Sequence, residues 1–508
     1  MDNENVKTNP ALNANKIIRY AILGVIAVVA LALVISIITA FIPDKFAVRD
    51  DNTITWRMND DDQLVFLFNG KKVVELSDDL TEELGDNSVT TDYNNQYAVF
   101  VTEGDSEDEE SEGGDLYVVN SKKAVKVKGE VTDFTLSAYG SSFLFISDGD
   151  LYYGQLKNPT KAAKVDSDVS DVTSVSPNGK AFAYEKIDED DEETKIEYYI
   201  SKNGKKGEKF GKKEADVISV SDGAKYVYYT KDEKFYVNDT KICDVEKISG
   251  MAMIFNRDGS QLIYTATNDK GEPKTYIVSK AKDKNVITDG SLYGIICPEG
   301  AANVTYNGAI FVYYNTSTLA KCALGVQDKD KDDNYVVHYY YLKNVKGKAE
   351  KISEMKNADD IVMLDDAQTV IYTKNGKLEQ IKINKPDSEP KEYKGADEDI
   401  SSFKVSADGK HIYVVDVEGT LYYVKSASKM KKIEEDIVRY VVTEDGKVYF
   451  VNEDEEVHYA NKSDKTKRVV SDFEDWSYDS LSGVLVVQAD GEFGTVSGKK
   501  FKKLFTVE

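Results

Sequence analysis

A short phrase recurs along this chain: an apolar residue, Ser or a substitute, an Asp-Gly or Asn-Gly turn, then alternating apolar and aromatic residues. Its clearest copies span 175–184 (VSPNGKAFAY), 405–415 (VSADGKHIYVV) and 441–451 (VVTEDGKVYFV). A turn dipeptide flanked by alternating residues is a strong signal for a β-hairpin. Because the phrase returns every few tens of residues, it predicts one antiparallel unit repeated many times.

The spacing of the turns predicts the size of the unit. Successive turns lie about 42 residues apart, which is typical of a four-stranded propeller blade. A single four-stranded sheet cannot bury both faces, and stacking such sheets around an axis solves this. We therefore predict an all-β fold, a β-propeller of about eleven four-stranded units, with a sandwich or a linear solenoid as the alternatives. The turn markers are Asp62, Asn95, Gly140, Gly179, Gly223, Gly259, Gly308, Ala367, Gly409, Gly446 and Gly483.

Eleven units exceed the four to eight blades that one propeller usually has. Two tandem propellers, 53–290 and 291–508, are the simplest prediction, because the repeat spacing lengthens between Asp289 and Pro298. A single larger propeller is the competing arrangement.

The phrases VSPNGKAFAY and VSADGKHIYVV resemble the WD40-like repeat of TolB-type β-propellers. The resemblance is clear in about six units and weaker elsewhere, and the proline of the phrase is kept only at Pro177. It implies a propeller fold. It implies no particular activity, because this repeat serves many unrelated functions.

One uncharged apolar segment, residues 20–42, precedes the repeats. As a helix its 23 residues span about 35 Å, enough to cross a bilayer, whereas the apolar part of a cleavable signal peptide is shorter. We predict a cytoplasmic tail (1–19), a transmembrane helix (20–42), a linker (43–52) and an extracytoplasmic remainder, with the opposite orientation as the alternative. The orientation depends on basic residues near the two ends, Lys7, Lys16 and Arg19 before the segment and Lys45 and Arg49 after it.

Charge and cysteine content narrow the possible partners. A formal charge of −25 disfavours nucleic acids and anionic lipid headgroups, both of which need basic surfaces.

The three cysteines form no disulfide framework and no zinc pattern. Cys297 and Cys322 could pair within one repeat, but buried free thiols are the default expectation for these two residues and for Cys243.

Three acidic runs, 103–115, 188–193 and 328–334, are expected to be solvated loops. In the third run, the alternate carboxylates Asp328, Asp330 and Asp332 could converge on calcium. The run departs from the EF-hand pattern, because Asp333 stands at the glycine position and no helices flank it. Calcium is thus the only cofactor considered, and no cofactor is the main expectation.

Aromatic and imidazole side chains are expected to be structural. The adjacent tyrosines, such as Tyr228-Tyr229 and Tyr422-Tyr423, are predicted to point to opposite faces of a sheet and pack between units, although they could also form a sugar-binding platform. Trp56 and Trp476, the remaining stacking surfaces, are placed at strand starts in the first and last units. The three histidines, which show no metal-binding spacing, are expected to be satisfied strand residues: His338, His411 and His458.

No nucleophile elbow and no glycine-rich phosphate loop is present, although any of the 90 acidic residues could form a glycosidase pair. The leading prediction is a non-catalytic binding or scaffolding module for a protein, peptide or glycan. A propeller-type hydrolase or lyase, with a carboxylate or metal site at the channel mouth, is the alternative. A passive part of a multiprotein envelope complex, coupled through the transmembrane helix, is the third possibility.

Overall fold

A computed structural model describes residues 54–68, 72–84, 89–103, 113–190, 193–212, 215–281, 283–297, 301–306, 309–330, 334–406, 408–462, 465–479 and 483–507. The predicted tail, transmembrane helix and linker lie outside these residues. Among the helices of the described ranges, none has the length and apolar character needed to cross a membrane.

The described chain consists almost entirely of antiparallel β-sheets, which we number as units in chain order. Unit 1 is a three-stranded sheet of β1 (Ile54–Met58), β2 (Leu64–Phe68) and β3 (Lys72–Glu75), followed by the short helix α1 (Asp78–Leu84). Units 2 and 3 form one seven-stranded sheet and share β7, whose first half pairs with β6 and whose second half pairs with β8. Its strands are β4 (Thr90–Thr91), β5 (Tyr97–Val101), β6 (Gly114–Asn120), β7 (Lys123–Leu136), β8 (Ser142–Ser147), β9 (Asp150–Gln155) and β10 (Ala163–Asp166).

Units 4, 5 and 6 follow as separate sheets in which the strands pair in chain order. Unit 4 contains β11 (Asp171–Val175), β12 (Ala181–Asp190), β13 (Glu193–Lys202) and β14 (Glu208–Lys209). Unit 5 contains β15 (Ala215–Val220), β16 (Val227–Lys231), β17 (Lys234–Val237) and β18 (Thr240–Asp244). Unit 6 contains β19 (Ile248–Phe255), β20 (Gln261–Thr267), β21 (Pro273–Ser279) and β22 (Asp283–Asp289).

Unit 7 contains β23 (Ser291–Ile296), β26 (Ala323–Lys329), β27 (Tyr335–Tyr341) and β28 (Glu350–Ile352), and an inserted hairpin lies between its first two strands. Unit 8 contains β29 (Asp359–Met363), β30 (Thr369–Lys374), β31 (Lys377–Lys382) and β32 (Lys391–Tyr393). Unit 9 contains β33 (Ile400–Val405), β34 (Ile412–Asp416), β35 (Leu421–Ser426) and β36 (Lys429–Glu434). Unit 10 contains β37 (Ile437–Val442), β38 (Lys447–Asn452), β39 (Val457–Asn461) and β40 (Lys467–Val470). Unit 11 contains β41 (Phe473–Asp479), β42 (Val484–Ala489), β43 (Glu492–Ser497) and β44 (Lys500–Thr506).

Nine of the eleven predicted turn markers take the backbone conformation that the repeated phrase requires. A tight turn with a positive φ is the reason for the Asn/Asp-Gly preference, because glycine and, less readily, Asn or Asp adopt this conformation. Gly140 is not among the positive-φ residues, and Gly308 lies outside the described residues. The markers with positive φ are Asp62, Asn95, Gly179, Gly223, Gly259, Ala367, Gly409, Gly446 and Gly483.

The hairpin around Gly308 differs from the prediction, because it is not the first turn of a regular unit. Its strands, β24 (Ala301–Tyr306) and β25 (Ala309–Tyr314), extend the sheet of unit 6, where β25 runs parallel to the first strand, β19. Cys297 and Cys322 close the base of this insertion through a disulfide, with their Cα atoms 4.9 Å apart. The expectation of free thiols was therefore wrong for this pair, whereas Cys243 is buried and free.

Each unit buries its flanks against its neighbours. Ten interior clusters join consecutive units, from Phe66 and Phe100 between units 1 and 2 to Tyr449 and Trp476 between units 10 and 11. An eleventh cluster joins the last unit to the first, and its buried members are Leu67, Val486, Phe493 and Val507. The prediction of an all-β repeat is confirmed, and the packing fits a β-propeller. The division into two propellers at residue 290 stays a prediction.

The adjacent tyrosines pack between units, as predicted. Tyr228 belongs to the cluster between units 5 and 6, and Tyr229 to the cluster between units 4 and 5. Tyr422 and Tyr423 divide in the same way between the two clusters that flank unit 9. The pairs therefore serve the core, because neighbouring side chains on a strand point to opposite faces.

Candidate functional site

The first strands of the units form a surface that we call the first-strand surface. First strands of neighbouring units contact one another, for example β29 with β33 and β33 with β37. Many of them contain a register shift against the second strand, at Ile437/Arg439 in β37 and at Phe473/Asp475 in β41. Such bulges redirect side chains and are frequent next to functional sites. In a propeller this surface lines the central channel.

Cationic side chains lie over aromatic rings on the first strands of units 9 to 11. The guanidinium carbon of Arg439 lies 5.4 Å from the centre of the Trp476 ring. Lys404 Nζ lies 5.9 Å from the centre of the Tyr440 ring, and the Tyr440 hydroxyl is 3.2 Å from Ser402 Oγ. These contacts fall within the range of cation–π attraction. They surround a cavity of about 390 Å³ that is lined by Lys404, Val438, Arg439, Tyr440, Val441, Trp476, Ser477 and Tyr478.

Asp475 connects the last unit to the first across this surface. Its Oδ2 accepts a hydrogen bond of 2.9 Å from Arg57, and its Oδ1 accepts one of 3.2 Å from Arg439. The side chains are partly exposed, so these ion pairs contribute little to the stability. Their effect is to hold two guanidinium groups side by side.

Large apolar side chains are exposed beside these cations. Val438 is 68% exposed, and Trp56, in the middle of β1, is 43% exposed. Trp476 is buried and lies within β41. Both tryptophans were predicted to lie at strand starts, but Trp56 is the third residue of β1 and Trp476 is the fourth residue of β41. Arginine and aromatic side chains are enriched in protein interfaces, so the first-strand surface is a candidate binding surface.

A group of carboxylates lies near the starts of the first strands in units 3 to 5. Asp171 and Glu185 are direct partners in the register of β11 and β12, and Tyr198 donates a hydrogen bond of 3.2 Å to Asp216. Burial raises the pKa of Asp133, and the negative charge of Asp171 raises it further. Burial also raises the pKa of Asp171 and Glu185, and Glu185 is affected in addition by the charge of Asp171. Mutually repelling, half-buried acids of this kind occur in active sites and in structural networks alike.

A second electrostatic feature lies in the turns between first and second strands. Burial raises the pKa of Asp222 to about 6, although Asp222 Oδ1 accepts a hydrogen bond of 2.9 Å from the Asn178 backbone N–H. The charge of Asp258 raises this pKa further, while Arg257 lowers it. Asp222 therefore joins the turns of units 4, 5 and 6.

Two of the carboxylates predicted to bind calcium accept hydrogen bonds from nearby backbone N–H groups. Asp328 Oδ1 accepts a hydrogen bond of 2.8 Å from the Lys329 N–H, and Asp330 Oδ1 accepts one of 3.0 Å from the Asn334 N–H. Asp332 lies outside the described residues. Within the described ranges no group of three His, Cys, Asp or Glu residues is placed to hold a metal ion. Calcium binding stays a prediction.

The second acidic run and the three histidines lie in or next to β-strands. The second acidic run is not wholly a loop, because residues 188–190 continue β12 and Glu193 begins β13. His338 and His458 lie within strands and His411 directly precedes one; His458 Nε2 is 2.9 Å from Glu456. The Nδ1 atom of each histidine is buried without a hydrogen-bond partner among the described residues, so the expectation that all three are satisfied was wrong. Sequence reasoning missed Arg57, Lys404, Arg439 and Asp475. Their shared position in first strands could have identified them, but only the fold brings Arg57 to Asp475.

No family model matches the chain, and no curated protein matches it. Among solved structures, a eukaryotic initiation factor is 10% identical, covering 77% of this chain and 94% of that one, with a TM-score of 0.38. The tricorn protease is 12% identical, covering 89% of this chain and 53% of its own, with a TM-score of 0.27. The chain thus spans about half of the tricorn protease. Both scores are too low to support an argument, and the likeness to TolB-type propellers stays a resemblance.

Proposed function

We propose that this chain is a single-pass membrane protein that displays a β-propeller outside the cell as a non-catalytic binding module. The eleven units would form one ring rather than two sets. The contact of the last unit with the first supports this arrangement, as does the interior cluster that joins units 6 and 7 across residue 290. This cluster is as well buried as its neighbours, which is unlike a hinge between two domains.

Two features support the extracytoplasmic location. The uncharged segment 20–42 has the length of a membrane anchor. The Cys297–Cys322 disulfide favours an oxidising compartment, because reducing systems keep thiols free in the cytosol.

The observation that carries the binding proposal is the combination of exposed apolar groups and paired cations on the first-strand surface. Val438 is exposed at the cavity that Arg439 also lines, and Trp56 is exposed on the strand that carries Arg57, in a chain whose formal charge is −25. Aromatic and arginine side chains dominate the binding energy of many interfaces. An extended peptide segment with apolar and acidic side chains is the ligand that this chemistry favours.

A peptide display selection with residues 47–508 tests the proposal. Selected peptides should be rich in apolar and acidic residues and should lose about tenfold or more in affinity on Val438→Glu. Val417→Glu is the matched control, because Val417 is 62% exposed but lies in a turn of unit 9. Equal loss in both variants, or peptides without acidic residues, would count against this surface.

A hydrolase or lyase is the second candidate, and the carboxylates Asp133, Asp171 and Glu185 favour it, since their raised pKa values suit acid–base catalysis. If it is correct, a screen of glycoside and uronate substrates should find turnover that Asp171→Asn and Glu185→Gln each reduce by about a hundredfold or more. Turnover that survives both substitutions would remove this candidate.

A further inference from the structure

The turns of the units differ in charge according to which strands they connect. In a unit whose four antiparallel strands pair in chain order, the first–second and third–fourth turns lie at one edge, and the second–third turn lies at the other. Neighbouring units have the same orientation, because like turns contact one another. The Tyr139 N–H donates to the Pro177 carbonyl at 2.8 Å, and the Asp222 N–H donates to the Asp258 carbonyl at 2.9 Å.

The third–fourth turns are rich in lysine, and we call the row of turns that they form the lysine edge. The first–second turns lie at the same edge of the sheets but are not part of this row. They carry mostly carboxylates: Asp60, Asp61, Asp62, Asp92, Asp222, Asp258, Asp365, Asp366, Asp408, Glu444 and Asp445. In the described part of the chain, the carboxylates of these turns are confined to Asp239, Asp387 and Glu389. The lysines of these turns are Lys122, Lys157, Lys161, Lys205, Lys206, Lys280, Lys343, Lys346, Lys348, Lys385, Lys462, Lys465 and Lys499.

The opposite edge, which we call the acidic edge, carries the second–third turns. Within the described residues, the second–third turns hold a single lysine, Lys270. Its carboxylates are Glu103, Asp148, Asp232, Glu233, Asp269, Glu272, Asp330, Glu418, Glu453, Asp454, Glu455, Glu456 and Asp490. The formal charge of −25 is therefore an average over third–fourth turns that are mainly basic and over first–second and second–third turns that are mainly acidic.

Four lysines surround a cavity of about 530 Å³ at the outer side of unit 4. Lys202, Lys205, Lys206 and Lys209 line it, together with Glu208 as its one carboxylate. Lys206 contacts the buried Asp166 at 3.0 Å and Lys209 contacts Glu197, so these two charges are partly compensated. Lys202 and Lys205 are exposed and carry no ion pair among those found in the described chain.

We propose that the lysine edge binds a linear polyanion, a polymer with a phosphate, sulfate or carboxylate group in each repeat, and that the cavity at unit 4 is the strongest contact. The lysines are distributed over many units, which suits a long flexible polymer better than a small anion. A lipid surface fits less well, because none of the large exposed apolar residues found in the described chain lies in a lysine-edge turn. The proposal does not depend on the first-strand surface.

Fluorescence titration of residues 47–508 with labelled heparin and with inorganic polyphosphate tests the proposal. Both polymers should bind, and the affinity should fall about tenfold or more between 50 and 200 mM salt, because binding releases counterions. Failure of both polymers to bind at 50 mM salt would overturn the proposal.

The variant K202Q/K205Q locates the contact. We expect about a fivefold loss of affinity for each lysine removed, hence about 25-fold for the pair. K231Q/K234Q is the matched control, because it removes the same charge next to the second–third turn of unit 5 and should leave the affinity unchanged. Equal losses in both variants would overturn the assignment to the lysine edge.

Two further measurements test other occupants of the lysine edge. Vesicles with about 30% anionic lipid should sediment little of the protein under the same conditions. Sedimentation that K202Q/K205Q abolishes would make a membrane the occupant and overturn the polymer proposal. Light scattering should show a monomer at 50 mM salt; self-association that the same variant abolishes would mean that the acidic edge of a second copy binds there instead.

Discussion

Loss of the Cys297–Cys322 disulfide is expected to destabilise the protein without changing its native contacts. The two cysteines are 25 residues apart, and closing a loop of this length in the unfolded chain corresponds to about 3.5 kcal/mol. The native loop has other contacts that persist after reduction. The Arg257 N–H donates to the Thr316 carbonyl at 2.9 Å, and the Leu319 N–H donates to Gln261 Oε1 at 2.8 Å. We therefore expect a loss of about 2 to 4 kcal/mol, which arises mainly in the unfolded state.

The assay is a urea titration followed by circular dichroism, with and without a thiol reductant, in three proteins. Reductant should lower the wild-type midpoint. It should have no effect on C297A/C322A, whose midpoint is already low, because Cys322 is almost fully buried and alanine preserves its apolar surroundings. Cys243→Ala is the control, and it should keep the full response to reductant, because Cys243 is buried and unpaired. A wild-type midpoint that reductant leaves unchanged, or a response that survives in C297A/C322A, would refute the reasoning.

Two substitutions test the electrostatics of individual carboxylates. Burial raises the pKa of Asp222 to about 6, so the charge of Asp222 destabilises the folded protein above pH 6. Below about pH 4 the carboxyl is neutral and has no such effect. Asp222→Asn should therefore stabilise the protein by about 1 kcal/mol at pH 7.5 and leave the urea midpoint unchanged at pH 4. Burial alone would raise the pKa of Asp166, but hydrogen bonds from Tyr184, Lys186 and Lys206 outweigh burial and hold the pKa at about 2. Its charge therefore stabilises the protein above about pH 4, and this contribution is lost as the pH falls toward 2. Asp166→Asn should cost about 2 kcal/mol at pH 7 and less at pH 3, and an equal cost at both values would contradict this assignment.

Much of the fold follows from local chemistry. The turns were predictable because Asn/Asp-Gly sequences adopt a positive φ, as Gly179, Gly409 and Gly446 do. The strands were predictable because apolar and aromatic residues alternate beside these turns, and the tyrosine pairs point to both faces accordingly.

Other features depend on contacts between distant residues. The hairpin at Gly308 has the local signal of a regular unit, but its strand β25 pairs with β19, more than fifty residues earlier in the chain. After this inserted hairpin the chain continues into unit 7, and Cys322 comes into contact with Cys297. The sequence spacing of the two cysteines does not by itself reveal this contact. The first-strand surface likewise needs Arg57 and Asp475, which are 418 positions apart.

The charge segregation was present in the sequence but was obscured by averaging. A net charge of −25 argues against anionic partners only if the charge is spread evenly. Once the turns are sorted by their place in the unit, lysines collect in the third–fourth turns and carboxylates in the first–second and second–third turns. The sorting requires strand boundaries, which the structure supplies.

The central claim is that the eleven units close on one another as one ring. Separate expression of residues 47–290 and 291–508 tests this claim most directly, with amide proton dispersion in NMR spectra as the readout. One ring predicts that neither half gives a dispersed spectrum alone, because each half exposes two apolar flanks, and that mixing the halves restores it. Two dispersed, monomeric halves that do not associate would contradict the claim.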